Sequence, residues 1–357
     1  MNAKESNYLD IFRVVASFAV LFQHLSMFNN NVFPGMQGYG HQAVMAFFVL
    51  SGYVIAYVSD QREREFSTYM KHRLARIYSV MVIAWLLTAI LDSVGPKIDS
   101  ATYVGVVATD NLPIRVLAHL LFLNESWFLS IQFFGNQPLW SLAYEFSYYL
   151  LFGLCFLYKG RFKIPLALLV AMLMGPVILI YGLIWLSGVL LYWIHKERPP
   201  INIAYANCIF LLTIPVIFLY PYWQHFLDFN TSSYKKFSTT AITKDFVFGL
   251  FVCLNIYCFK YTKYQLTFLR SYAKFFSNIS FSLYVFHFPL MYFYGAVLRK
   301  YFNPSNEQMF FLLTVLIVLT VYLLSFISEK RKRSYYQLFD WLFRKLGRQF
   351  SIKTQNG

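Results

Sequence analysis

Charge is what this sequence has least of. Only 13% of its 357 residues are Asp, Glu, Lys or Arg, about half the share carried by an ordinary soluble domain. With 58% hydrophobic residues, 21% aromatic residues and a mean hydropathy of +0.48, there is too little polar material to cover a water-facing globule. That composition excludes a disordered chain and leaves almost no room for a soluble enzyme. Cysteine is sparse too. Cys155, Cys208, Cys253 and Cys258 lie in apolar stretches with no CxxC or metal-ligand spacing, so they read as packing residues and no metal is expected. A cleavable signal peptide is also missing. The first apolar stretch contains Asp10 and Arg13 and has no small-residue cleavage site, so it is expected to stay in the membrane. No internal repeat and no low-complexity segment is visible.

What the chain has in quantity is long apolar runs. About 20 apolar residues cross a bilayer as a helix, which places spans near 8–28, 41–59, 76–92, 139–158, 201–221, 245–261, 278–298 and 307–328. The stretch 164–194 is punctuated by Gly175-Pro176 and Gly182 and is read as two short helices. The expectation is an all-α polytopic transmembrane bundle of about ten spans. A membrane domain occupies 1–328, and a basic, partly amphipathic tail occupies 329–357. The external loop 93–138 contains the short apolar run Val116–Leu123, read as an interfacial or re-entrant helix. The tail segment 334–350 reads either as an amphipathic helix on an anionic leaflet or as a plain stop-transfer tail.

The net charge of +15, from 31 Lys+Arg against 16 Asp+Glu, is compatible by itself with nucleic acid, acidic lipid or an anionic substrate. Position along the chain decides. With the N-terminus inside, 23 of the 31 basic residues fall on cytoplasmic segments and seven outside, among them Lys235 and Lys236; Arg13 lies within the first span. This bias predicts that both termini are cytoplasmic. It makes a membrane-lipid surface, not nucleic acid, the partner of most of the charge.

Ionisable groups in hydrocarbon are costly and mark candidate sites. Arg13 and His24 in the first span are eleven residues apart, so they share a helix face about 16 Å apart along the axis. Asp10 is one turn from Arg13 and can pair with it. In the fourth span, Trp140-Ser141-Leu-Ala-Tyr144-Glu145 puts Ser141 and Glu145 on one face, and a buried glutamate needs an Arg or His partner. In the ninth, Ser280, Tyr284 and His287 follow i, i+4, i+7 and line one stripe. Lys71, Arg73 and Arg76 form a basic cluster at the start of the third span, suited to phosphate binding or serving only to set topology. A structural Asp–Arg pair and satisfied core histidines fit the same spacings.

In combination these motifs resemble the acyltransferase 3 family of integral membrane O-acyltransferases. The resemblance rests on Tyr8-Leu-Asp10-x-x-Arg13 followed by His24, on Phe47-Phe-Val-Leu-Ser51-Gly52-Tyr, and on Arg73-x-x-Arg76. It extends to Trp140-Ser-Leu-x-x-Glu145 and to Ile279-Ser-Phe-Ser-Leu-Tyr284-Val-Phe-His287-Phe-Pro289. These occur in the family's order along nearly the whole chain. Met45-Ala46 stands where the family often has an acidic or polar residue. No appended extracytoplasmic hydrolase-like domain is expected.

The resemblance implies a donor acyl-CoA, usually acetyl-CoA, approaching from the cytoplasm. It implies an acceptor hydroxyl on an envelope glycan or lipid-linked sugar, lipopolysaccharide O-antigen foremost, in a bacterial cytoplasmic (inner) membrane. On this scheme Arg73, Arg76 and Lys71 hold the nucleotide end of the donor, and His24 is the general base. Glu145 fixes the tautomer of His24 or stabilises its imidazolium, and Arg13 positions the donor or neutralises the thioester oxyanion. Asp10, Ser141, Trp140, Tyr284 and His287 support or contact substrate. Direct transfer and an acyl-enzyme route are both compatible with these residues. One rival class is a transporter or flippase for an envelope glycan, in which the same intramembrane Arg, His and Glu relay protons or bind cargo; another is a structural or sensing membrane protein with only its basic tail of note.

Overall fold

The computed structural model describes residues 1–228, 233–234 and 237–355, with side chains for 1–228 and 238–345. Lys235 and Lys236 lie outside the described residues. Among the described residues the fold is all-α apart from a two-residue hairpin, β1 Ser233–Tyr234 with β2 Phe237–Ser238. The helices are α1 Ala3–Phe28, α2 Tyr39–Gln61, α3 Phe66–Ile98, α4 Leu112–Leu120, α5 Trp140–Phe152, α6 Lys163–Met174 and α7 Pro176–Glu197. They continue with α8 Ile203–Phe218, α9 Tyr220–Trp223, α10 Thr239–Tyr261, α11 Arg270–Ser277, α12 Ser280–Tyr301, α13 Asn306–Ser325 and α14 Lys332–Gln355.

Local signals set several boundaries. Asn2 caps α1 by accepting from Glu5 N at 2.8 Å, while the Glu5 carboxylate accepts from Asn2 N at 2.8 Å; this capping box satisfies orphan amide donors of the first turn. Ser305 and Gln308 build the same device at the start of α13. The break between α6 and α7 falls at Gly175, whose φ is +81°. A side chain there would run into the Trp127 backbone, and Pro176 then opens α7 at the position where proline is best tolerated.

Among the described residues seven helices are long and apolar enough to cross a bilayer, or eight when α8 and α9, bent by 71°, are taken as one span. The expected ten is therefore not confirmed on length. Helix α6 has 12 residues, which at 1.5 Å per residue reach about 18 Å against a hydrocarbon core of about 30 Å. Helix α5 has 13 residues and continues as a π turn over Gly153–Leu157. The run Val116–Leu123, expected to be an interfacial or re-entrant helix, overlaps the nine-residue α4.

Polar contacts gather the helix ends into two groups. Lys4 of α1 donates to the Lys260 and Thr262 carbonyls at the end of α10, and Lys260 donates to His195 O at the end of α7. Lys196 of α7 pairs with Asp60 of α2 at 2.7 Å, and Lys71 of α3 pairs with Asp340 of α14 at 2.8 Å. At the opposite end Arg299 of α12 donates to Phe28 O of α1 at 3.0 Å, and Trp127 N donates to Met174 O of α6 at 2.9 Å. The tail helix packs on α3, with Tyr336 against His72 and Phe339 against Tyr78.

The two most enclosed spans are α2 and α12. Along α2 the closest neighbour is α7. A Cβ on Gly52 would strike the Trp185 carbonyl, and one on Gly188 would strike the Val49 carbonyl. Small residues let membrane helices approach backbone to backbone, and here two glycines do so reciprocally. Gly52→Ala or Gly188→Ala is therefore expected to cost about 1–3 kcal/mol through overpacking, read as a lower melting midpoint of the detergent-solubilised protein. An unchanged midpoint for both variants contradicts this packing.

Candidate active site

A chamber of about 60 Å³ lies among α1, α2, α3, α5 and α12, lined by Arg13, Ser51, Arg76, Ser141, Glu145 and Tyr284 with apolar side chains between them. That is room for a few waters. Two cations thus face one carboxylate across a small enclosed space. Arg13 Nη1 lies 3.3 Å from Asp10 Oδ1. Arg76 makes no ion pair among the described residues and lies over the Phe281 ring, 5.6 Å from its centroid.

The carboxylate is held by its own helix and by α2. Glu145 Oε1 accepts from Ser51 Oγ at 3.2 Å and from the Tyr149 hydroxyl one turn on. Trp185 Nε1 donates to Ser51 Oγ at 3.2 Å. Ser141 Oγ and Tyr284 Oη are 2.6 Å apart, and Tyr284 also donates to Pro138 O at 2.9 Å. These contacts pin the first two turns of α5 to α2 and α12.

One turn beyond Tyr284 on α12 lies His287, 1% exposed. Its Nδ1 faces the Tyr284 and Leu283 carbonyls at 2.8 and 3.1 Å, and its Nε2 faces His24 Nδ1 at 2.9 Å. The rings are nearly parallel, 13° apart. Carbonyls only accept, so the pattern assigns the His287 proton to Nδ1, leaving Nε2 as the acceptor. His24 Nδ1 must then donate, which leaves the lone pair of His24 on Nε2.

The profile of the acyltransferase 3 family, an acyltransferase domain, matches residues 6–330. The chain belongs to the acyltransferase 3 family. It is also similar to the acyltransferase MdmB of Streptomyces mycarofaciens, 30% identical over 128 residues. That alignment covers 35% of this chain and 30% of MdmB, so the chain matches less than a third of that relative's length. No solved structure matches the chain.

Within this acyltransferase 3 chain, Arg13, Arg76, Ser141, Glu145 and Tyr284 meet at the chamber. Asp10 sits behind Arg13. His24 and His287 do not line the chamber but form a pair beside it. Trp140 faces the other side of α5.

Two expected roles need correction. Glu145 is not what orients His24: Ser51 and Tyr149 occupy the carboxylate, and His287 holds the imidazole. Nor are Arg73 and Lys71 free for a phosphate. Arg73 Nη2 donates to both Glu63 oxygens at 2.7 and 3.0 Å, in a pair whose side chains are only 8% and 10% exposed. Lys71 is paired with Asp340. A buried cation needs such a partner, and neither partner stands near it in sequence motif terms.

Glu63 and Tyr149 were missed by sequence reasoning. Tyr149 had a signal, since it lies at i+4 from Glu145; Glu63, in the connection before α3, had none. Glu63→Gln strands the buried Arg73 and is expected to cost about 3–5 kcal/mol of stability. Arg76→Gln breaks no direct ion pair among the described residues and should lower the melting midpoint clearly less than Glu63→Gln does. Equal losses in the two variants, measured by thermal unfolding in detergent, contradict the division between a structural and an available arginine.

Proposed function

We propose that the protein moves an acyl group, acetyl foremost, from acyl-CoA to a hydroxyl of an envelope glycan or lipid-linked sugar, with lipopolysaccharide O-antigen the first candidate. The proposed setting is a bacterial cytoplasmic membrane, with the basic end of the bundle and both termini inside. The observation that carries the reading is the chamber itself, with Arg76 in no ion pair among the described residues and Arg13 beside it, adjoined by a histidine pair whose hydrogen bonds present a lone pair on His24 Nε2.

Each residue has a task in that reaction. Coenzyme A is a polyanion, and two enclosed guanidiniums attract it more strongly than a solvated pair would. The acceptor hydroxyl is a poor nucleophile at neutral pH, and His24 Nε2 takes its proton as the oxygen attacks the thioester carbon. Charge then develops on the thioester oxygen, where Arg13 or Arg76 compensates it in a water-poor space. The C–S bond breaks, the thiol leaves with the proton that His24 carried, and the ester remains on the acceptor. His287 keeps the required His24 nitrogen unprotonated beforehand. Glu145, held by Ser51 and Tyr149, balances the two arginines so that the chamber stays compact without donor.

Loss of a positioned general base costs about 10²–10⁴-fold. His24→Ala is therefore expected to remove the ester from surface glycans of producing cells, measured by mass spectrometry of each glycan fraction against cells lacking the gene. Full ester content at normal protein levels overturns the assignment of His24. Identical ester content with and without the protein overturns the whole reading.

A further inference from the structure

The chamber does not account for all the charge around Arg76. Between α13 and α14 the chain makes a short helical turn, Glu329–Arg331, packed against α3. Both of its flanks are fastened. Ser325 and Ser328, fully buried, donate back to the Tyr322 and Leu324 carbonyls at 2.6 and 2.8 Å. Beyond the turn, α14 is tied along α3 by the Lys71–Asp340 pair, by Tyr336 against His72 and by Phe339 against Tyr78. The turn therefore sits at the end of the bundle where Lys71 and Lys196 gather, the end that the proposed topology places inside.

Glu329 Oε2 accepts from Ser282 Oγ at 3.0 Å. Ser282 lies in the first turn of α12, where free backbone amides also favour an anion. It directly follows Phe281, over whose ring the Arg76 guanidinium lies. Carboxylate and guanidinium thus share one corner and attract each other through space, with no direct ion pair between them. Arg76 stands between two carboxylates: Glu145, which lines the chamber, and Glu329, which does not.

The balance of charge makes Glu329 the informative one. Arg13 and Arg76 are set against Asp10, Glu145 and Glu329. A surplus of carboxylate repels a polyanion, so one of the three must withdraw before coenzyme A can hold Arg76. Asp10 faces Arg13 from the same helix, and Glu145 is held by Ser51 and Tyr149 within the bundle. Glu329 belongs to a connection, is half-buried and is held, among the described residues, by Ser282. Rotating its side chain carries the carboxylate to water without unpacking a helix, and Lys332 attracts it from the exposed side.

We propose that Glu329 is a displaceable counter-charge for Arg76: its carboxylate holds the place that a donor phosphate takes, and it yields Arg76 to coenzyme A on binding. The inference rests on the acyl-CoA reading above and adds to it a positioning residue that sets donor affinity without touching the reacting atoms. Two neighbouring guanidiniums without counter-charge repel one another and attract any anion at hand. With Glu329 in place, a ligand carrying several negative charges displaces it and a singly charged one competes poorly.

The test titrates coenzyme A into the full-length protein in nanodiscs. Glu329→Gln keeps a hydrogen-bond acceptor for Ser282 and removes the charge. It is expected to bind coenzyme A about five- to tenfold tighter than wild type, a gain that a purely structural carboxylate would not give. In an Arg76→Gln background, where binding is weaker, the same change should alter affinity less than about twofold, because the partner is gone. Ser282→Ala frees the carboxylate without removing it and should tighten binding about two- to threefold. That variant decides where Glu329→Gln folds poorly or Arg76→Gln binds too weakly to titrate. Unchanged or weaker binding in both Glu329→Gln and Ser282→Ala overturns the role of Glu329, as does an equal gain with and without Arg76. Failure of wild type and Glu329→Gln alike to bind coenzyme A overturns the acyl-CoA reading and this role together.

Discussion

The phenol of Tyr149 joins the two electrostatic halves of this bundle. Its hydroxyl donates to Glu145 at the chamber, and its ring lies 5.8 Å from the guanidinium of Arg73, which Glu63 clasps from the other side. Tyr69 closes the opposite face of Arg73 at 5.4 Å and donates to the Tyr149 carbonyl at 3.1 Å. A buried guanidinium is tolerable only where carboxylate and aromatic faces replace water. Once that condition is met, Tyr149 has one position, and Glu145 is aimed by it. The ion pair at the edge of α3 thereby sets the carboxylate of the site one turn away on α5.

Helix α5 turns that anchoring into a partition. It is short, and its first two turns carry Trp140, Ser141, Tyr144 and Glu145, which would be a poor lipid-facing sequence. Enclosed between α2, α7 and α12, it presents serine and glutamate to one space and tryptophan and tyrosine to the other. The arrangement depends on how closely α2 and α7 approach. Gly52 and Gly188 let the backbones nearly touch, which brings Trp185 within reach of Ser51 and so of Glu145. Packing, hydrogen bonding and electrostatics are consequently one problem in this region, with little slack between them.

The histidine pair shows a different economy. Two imidazoles and two backbone carbonyls form a directional chain without any full charge, which avoids the desolvation cost that an Asp–His pair would meet at this depth. The carbonyls are available because His287 lies one turn after Leu283 and Tyr284, whose oxygens sit on the same face. An Asp-anchored histidine does occur in this fold, at His41, but there the imidazole is partly open to the cleft on the Trp140 side of α5.

Much could be read from the chain alone. Scarcity of charge in long apolar runs dictates a membrane bundle, because uncovered backbone and ionised groups are too costly in hydrocarbon. The same scarcity singled out Arg13, His24, Ser141, Glu145, Tyr284 and His287, since helical spacing places each on a polar face, and the motif order pointed to the family that the profile match shows. What spacing along one helix cannot say is which faces meet. That His24 answers to His287 and not to Glu145, that Arg73 is consumed by Glu63 and Lys71 by Asp340 while Arg76 stays available, and that α5 walls off a second cleft all depend on contacts between segments up to 269 residues apart. Burial energetics demand a partner for each ionisable group, but only the packed bundle chooses among the partners.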